Sequence, residues 1–516
     1  MKRFATLFLV LLLTLLLAAP ALAGLKDAPD AFELTDASNL DADITIVQAL
    51  DMVSWDPTNT SDLSNGYVIN NVYGKLFTFD EDLNGIPEMC ESYERLSDTE
   101  WHFKIYEGIK IHDGSILTAD DVVHSLNRTK NGTAIGALFG PVDEITKVDD
   151  LTISITTKGP YPALPTALTH QACCIVPQAY AEQAEADDDW THPIGSGRYT
   201  FNSRLIGDSI KLDRFDDYFN QNDKALNKSL TFKVIPEGGN RTIAVETGAA
   251  DINIDFNTPD FNRVVADDNL ALWQHYSQTV WHLGMDTTHE WFSNPLVRQA
   301  VNFAIDREGT LIVGHNGQGT VVYNCATFAP TCLGAVQNPL DMYSYNIERA
   351  KELMAEAQCP GFDTEIIVFR DEAERIAQLC QMNLAEIGIN AQVKRIENAV
   401  FASTIAEHGA PMFVTSWGAY WDPDLFLARR FSTAGIGGVN RGFYLNDELD
   451  VMIIDARSTF DNSVRAVKYG EIQEFMAIEA PECDLYVSVM FAMSGKDLRG
   501  VEINVERPFN YYKLHY

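Results

Sequence analysis

The chain has 516 residues, with 73 acidic side chains against 38 Lys and Arg and a formal charge of -35 at pH 7. Such a surface repels phosphate backbones and anionic lipids, which argues against nucleic acid and membrane surfaces as partners. The length exceeds what one hydrophobic core holds, so two or more lobes are expected.

The chain opens on a leader. Lys2 and Arg3 form a short basic region, Leu7–Ala19 is apolar but short for a membrane span, and Ala21-Leu22-Ala23 is a cleavage signal. Residues 1–23 are read as a signal peptide. Its removal takes Lys2 and Arg3 with it and moves the formal charge from -35 to -37. No Cys stands near the cleavage site, so an exported, soluble protein without a lipid anchor is expected. Eight Cys in an exported chain permit disulfides. Cys325 and Cys332 enclose a short loop and are expected to pair, whereas the adjacent Cys173 and Cys174 read as buried small residues. The absence of C-x-x-C gives no sign of structural zinc.

After a polar stretch over 24–40, Ile44–Leu50 reads as a strand that ends in the loop Asp51-Met52-Val53-Ser54-Trp55-Asp56-Pro57. Asn65–Phe79 reads as a helix followed by a strand, and Trp101–Ile105 alternates as a half-buried strand does. Thr118 is placed to cap a helix with Asp120 and Asp121 in its first turn and Val122, Val123 and Leu126 on one face. Leu151–Thr157 is a further strand. From Pro193 a Gly turn feeds a strand at Tyr199, and Ser209–Arg214 is its hairpin partner. Asp251–Phe256 and Trp281–Met285 are strand-like. Asn294 then caps a helix with Pro295 at its first position and Val297, Ala300, Val301 and Ala304 at helical spacing.

The C-terminal half alternates helix and strand. Asn346–Ala357 is helical, Glu365–Phe369 a strand, Asp371–Ile387 a helix with Gly388 as its cap, and Ile389–Val393 and Met412–Thr415 strands. This alternation predicts an α/β lobe with a largely parallel sheet.

Several motif matches fail on context. Asp80-Glu81-Asp82-Leu83-Asn84-Gly85 with Glu91 satisfies a calcium-loop pattern, but a strand precedes it and Pro87 interrupts it, so it reads as a hairpin turn. His289-Glu290 has Ser293 where a zinc-binding motif needs a second His. Neither a nucleophile elbow nor a phosphate loop occurs. No metal and no cofactor are expected, and no enzymatic activity. His282, inside a strand beside Trp281, is a core or cleft-edge residue ahead of a metal ligand.

The densest signal is Ser416-Trp417-Gly418-Ala419-Tyr420-Trp421-Asp422-Pro423. Aromatic faces give large contact area at low entropic cost and stack on planar or cationic groups, and Gly418 and Ala419 admit close backbone approach. Aromatics dominate cores as well, so the residues alone leave a core strand running into a turn as the other reading.

Landmarks in order resemble the extracytoplasmic solute-binding proteins, family 5, of ABC importers, which bind oligopeptides, dipeptides and nickel complexes. Leu117-Thr118-Ala119-Asp120-Asp121-Val122 is similar to the family's "lTAeDV" helix start, and Pro193-Ile194-Gly195-Ser196-Gly197-Arg198-Tyr199 to its "piGTGPY" turn, with Arg198 where Pro is usual. Asn294–Arg307 resembles its "d.rVRqAlnyAIDR" helix and Tyr345–Leu353 its "yDpekAkeLL".

The resemblance implies a two-lobe, type II periplasmic-binding-protein-like α/β fold with an extra subdomain in the first lobe. Lobe I is placed at 24–285 plus 485–516, with 76–190 inserted, and lobe II at 286–484. It further implies a monomer in the periplasm that captures a small solute, a peptide or peptide-like molecule, and delivers it to a membrane permease. The implied ligand-binding residues are Trp417, Gly418, Ala419, Tyr420, Trp421, Asp422, Ser54 and His282. Peptide-binding members place an Asp shortly before the Asp-Pro pair to hold the ligand's amine, but Ala419-Tyr420-Trp421 supply no acid here. The alternatives are a nickel-metallophore or sugar binder of the same family and, from another class, a secreted hydrolase.

Overall fold

The computed structural model describes residues 38–59, 63–79, 85–132, 139–256, 258–325, 328, 332–335, 342–418, 422–436, 439–502 and 510–516. Its strands, in chain order, are β1 (Asp43–Gln48), β2 (Phe77–Phe79), β3 (Gly85–Pro87), β4 (Cys90–Arg95), β5 (Glu100–Ile105), β6 (Val142–Lys147), β7 (Thr152–Thr157), β8 (Tyr199–Leu205), β9 (Ser209–Arg214), β10 (Ser229–Val234), β11 (Ile252–Asn253), β12 (Leu270–Met285), β13 (Gly319–Val321), β14 (Phe362–Val368), β15 (Ile389–Arg395), β16 (Met412–Gly418) and β17 (Glu482–Gly495). One sheet runs through both halves in the order β15-β14-β16-β12-β17-β11-β1-β10-β9-β8, with β13 on β17 outside that path. A separate sheet, β4-β5-β7-β6, carries its own core of Phe103, Ile105, Leu126, Ile153 and Ile155.

The long strands β12 and β17 join the halves. The first part of β12 pairs with β17 from Leu270↔Gly495 to Tyr276↔Val489, and the register then shifts before Val280↔Val487. Beyond that shift β12 also takes β16 on its other edge, from Thr279↔Gly418 to Met285↔Met412. β17 is buried along nearly its whole length. The helix Pro295–Ala304, capped by Asn294 and opened by Pro295 as predicted, ties down its start. Arg298 donates to the carbonyls of Glu479 and Ala480, Asn302 to that of Glu482 (3.1 Å), and Arg307 to that of Asp484 (2.7 Å). A buried guanidinium is tolerable when backbone carbonyls satisfy it, so the most specific motif of the chain is a structural anchor.

Most predicted elements are present. Asp121 reaches back to the Thr118 N–H at 2.8 Å, β8 and β9 form the expected hairpin, and the antiparallel β2 and β3 flank the predicted turn, whose residues 80–84 lie outside the described set. Gly195 and Gly197 lie where the chain presses on the end of helix Leu63–Val72: a Cβ on Gly195 would stand 2.2 Å from the Val72 carbonyl oxygen.

Four expectations need correction. The strand at 251–256 is only β11, because Asp251 and Asp255 turn their carboxylates onto the backbone of Thr45 and Ala49 instead. The second half is not largely parallel: β14, β15 and β16 are mutually parallel, but β12 and β17 enter antiparallel to their neighbours. Helix Asp371–Ala385 is capped at Glu386, and Gly388, at φ 83, serves the following turn into β15. Cys325 and Cys332 are not joined. They belong to different apolar clusters, and the Cys325 thiol donates to the Glu482 carbonyl at 3.1 Å.

Packing across the β12–β16 pair is tight at Gly284, where a Cβ would stand 2.2 Å from the Phe413 ring. Gly284→Ala is expected to lower unfolding stability by about 1–3 kcal/mol through overpacking, read from the urea midpoint. An unchanged midpoint would show that the ring moves aside without cost.

Candidate functional site

The strands β14 and β16 run parallel, and open α/β sheets bind ligands beyond the carboxyl ends of such strands. Arg370 stands at that end of β14, at the N-cap of the next helix. Its Nη2 donates to Ser416 Oγ at 2.5 Å, and its guanidinium lies 4.4 Å over the Trp281 ring and 5.0 Å over Phe369. Trp281 stacks in turn on Tyr486 at 6.2 Å, and the Tyr486 hydroxyl meets His315 Nδ1 at 2.9 Å. Burial pushes the Arg370 pKa down against the opposing pull of Glu372, which stands outside ion-pair distance, as does every other carboxylate among the described residues.

Most other arginines are compensated. Arg128, Arg198, Arg204 and Arg465 face carboxylates, and Arg241, Arg375 and Arg499 face backbone carbonyls. Among the described residues Arg370 and Arg441 show neither kind of contact; Arg441 lies 6.0 Å over the Phe401 ring. A half-buried cation without a counter-ion in so acidic a chain is a binding-site signal.

The opposite face of β12 and β16 holds a small cavity of about 20 Å³, lined among others by His282, Thr415, Trp417, Arg430, Arg441 and Glu482. The structure therefore brings two expected site residues, Trp417 and His282, onto one cavity. His282 is an interior residue, 3% exposed, and burial together with Arg430 and Arg441 drives its pKa well below the ordinary imidazole value. Gly418 closes β16, and among the described residues nothing stands within 4 Å of where a side chain would project.

Two other expected residues serve the fold. Asp422 caps helix Pro423–Arg430 by accepting from the Asp424 N–H at 3.0 Å, and both its oxygens take Arg465 at 2.8 Å. The pair is buried, and its geometry leaves the carboxylate no free oxygen for a ligand. Ser54 Oγ accepts from the Asp56 N–H at 3.0 Å, and Asn65 Oδ1 accepts from the N–H groups of Val53 and Ser54, so this serine closes its own loop. Ala419, Tyr420 and Trp421 lie outside the described residues. Arg370 was not among the residues expected at the site, although an Arg directly after the apolar run Ile366-Ile367-Val368-Phe369 was its available signal.

The fold and this site define a solute-binding protein of the two-lobe periplasmic type. The ABC transporter-associated periplasmic binding protein DppA of Helicobacter pylori, solved with the peptide STSA, superposes with a TM-score of 0.82 at 23% identity, covering 92% of this chain and 98% of that one. HbpA2 of Haemophilus parasuis does so with a TM-score of 0.80 at 26% identity, covering 92% and 99%. The glutathione-binding protein GsiB of Pectobacterium atrosepticum is 28% identical over 490 residues, 91% of this chain and 93% of that protein. Residues 84–438 match the middle region of the bacterial extracellular solute-binding proteins, family 5, and the chain belongs to that family. Among the described residues no helix is long and apolar enough to cross a membrane.

Burial makes several histidines acid-sensitive. His315 is pushed down to about 4, as is His112, and His170 to about 3. The unfolded chain binds protons near pH 6.5 and the folded one only lower, so this stability is complete above pH 6.5 and is lost as pH falls towards 4. Each imidazole steepens the slope by up to about 1.4 kcal/mol per pH unit. Glu482 and Asp424, raised chiefly by burial, act in the opposite sense. The difference in urea stability between wild type and His315→Gln at pH 7.5 and pH 5 isolates the effect; the variant is expected to be the less pH-dependent, and equal slopes would refute it.

Proposed function

We propose that the chain is the substrate-binding component of an ABC importer and captures an anionic, peptide-like solute between its lobes for delivery to a membrane permease. Lobe I comprises 24–285 and 485–516 with 76–190 inserted, lobe II comprises 286–484, and residues 1–23 direct export to the periplasm. The reading is of a binder that returns its ligand unaltered, working as a monomer.

The observation that carries the ligand class is Arg370. It stands at the carboxyl end of β14 beside Ser416, with its Nε lacking a partner among the described residues. A ligand carboxylate would complete this arginine in bidentate fashion. The amine side is different: 416–421 hold no acid, and Asp422 is committed to Arg465. Recognition thus starts from the solute's carboxylate, with Tyr420 and Trp421 as the stacking wall, Gly418 and Ala419 admitting its backbone, and Trp417 backing that wall from the opposite face of β16. Relatives whose names state glutathione or peptides as ligands support a γ-glutamyl or short peptide as the solute.

Calorimetric titration with reduced glutathione and with dipeptides tests this. Arg370→Ala is expected to weaken the best ligand by about 2 kcal/mol or more, and Trp421→Ala by about 1 kcal/mol. Unchanged affinity in Arg370→Ala would overturn the anion-first reading. Native mass spectrometry of the undenatured protein identifies any solute it retains, and an altered product mass would instead mark an enzyme.

A further inference from the structure

The guanidinium of Arg370 is aimed by rings more than by hydrogen bonds. Among the described residues its one hydrogen bond goes to Ser416 Oγ at 2.5 Å, while the group lies 4.4 Å over the Trp281 indole. A single hydrogen bond leaves a planar group free to swing, so the ring beneath it sets its tilt. A carboxylate taken by two parallel N–H donors is sensitive to that tilt.

Trp281 is fixed in turn from the layer behind it. Tyr486 is its direct partner across β12 and β17 and stacks on the indole at 6.2 Å, with 22° between the planes. His315 meets the same indole edge-on at 5.0 Å. Tyr486 is fully buried and leaves no surface for a solute. A buried tyrosine is a costly choice where phenylalanine would stack as well, because its hydroxyl needs a partner. Here the hydroxyl meets His315 Nδ1 at 2.9 Å, in space that Gly314 leaves open: a Cβ on Gly314 would stand 2.3 Å from the hydroxyl oxygen. Glycine weakens a helix, and Gly314 is the next-to-last residue of helix Arg307–His315. Gly314, His315 and Tyr486 each give up local stability, and what they gain together is one hydrogen bond.

The contacts close on themselves. Arg375 donates to the carbonyls of Val313 (2.7 Å) and Gly314 (3.3 Å), which ties the end of that helix to helix Asp371–Ala385, whose N-cap is Arg370. The path from Arg370 through Trp281, Tyr486 and His315 thus returns to the helix that Arg370 opens. Packed rings joined by hydrogen bonds in this way hold one geometry.

We infer that Tyr486 and His315 are positioning residues of the binding site: their hydrogen bond sets the plane of Trp281, and that plane aims Arg370 at the solute's carboxylate. The inference rests on the reading of Arg370 as the solute's anchor and assigns part of the affinity to the layer behind it.

Calorimetric titration of the full chain with reduced glutathione, used as the probe, tests this through a double-mutant cycle. Tyr486→Phe keeps the stack and removes the hydroxyl. It is expected to weaken binding about fivefold in the wild-type background and to have no further effect in Arg370→Ala. Equal losses in both backgrounds, or no loss in the first, overturn the inference. His315→Gln, which keeps a side-chain donor and acceptor, is expected to bind within about twofold of wild type, and His315→Leu about fivefold more weakly; equal affinities for these two variants overturn it as well. Crystal structures of unliganded Tyr486→Phe and His315→Leu need no probe: a turned indole and a broken Arg370–Ser416 hydrogen bond are expected, and an Arg370 that keeps its place in both overturns the positioning role. If Arg370→Ala alone leaves affinity unchanged, the anion-first reading falls and takes the inference with it. If Arg370→Ala weakens binding and Tyr486→Phe does not, only the positioning role falls.

Discussion

The structure depends on where β17 is held. This strand is buried along nearly its whole length, pairs with β12 throughout, and meets β11 at one end and β13 near its middle. A strand so enclosed has no solvent to satisfy its carbonyls, so its register must be set by protein groups. Arg298, Asn302 and Arg307 do this at Glu479–Asp484, from one helix and the residues just after it. With that end fixed, β17 carries the second half's geometry into the first. The shift between Tyr276↔Val489 and Val280↔Val487 falls where β16 ends opposite Thr279. Bulges bend strands and re-aim side chains, and this one lies between the part of β12 paired into β16 and the part paired towards β11.

A second contact joins the halves away from these strands. Leu425, in helix Pro423–Arg430, is buried in the core of the small sheet, and Phe460 lies on the same cluster with Arg95 3.6 Å over its ring. The buried Asp422–Arg465 pair braces the helix that presents Leu425. Asp422 was expected at the ligand, yet its bidentate geometry makes it part of this brace. A buried pair of this kind is expensive to break rather than strongly stabilising in itself, which suits a fixed structural joint.

What the sequence made legible followed local rules. Asn294-Pro295 is a cap and a first-turn Pro, and Thr118 with Asp121 is a capping box; both depend on neighbours a few residues away. Strand positions were readable for the same reason, though the direction of β12 and β17 was not, because it is set by partners hundreds of residues distant. Arg198 departs from the family's Pro and proves to be a bridge to Glu88, stacked on Tyr218 and Tyr512, which no local rule could supply. Cys325 and Cys332 are close in sequence but diverge into separate clusters. At the site, the aromatic segment was visible by composition, whereas the value of Arg370 lies in what it does not touch. An uncompensated charge is a property of the whole surrounding fold.

Strand alternation connects the two cationic features. Trp281 and His282 are consecutive, so β12 sends them to opposite faces. Trp281 meets Arg370 on one face, and His282 lines the cavity of Arg430 and Arg441 on the other. Their partners also differ, since β17 skips a residue between Trp281↔Tyr486 and His282↔Asp484. A slip of one residue would exchange the faces and bury Trp281 among the arginines. The register that Arg298, Asn302 and Arg307 impose on β17 thereby reaches the site: it decides which aromatic lies under the open guanidinium and which imidazole stands behind Trp417. The family's most specific motif thus sets, through that register, which side chains each face of β12 presents.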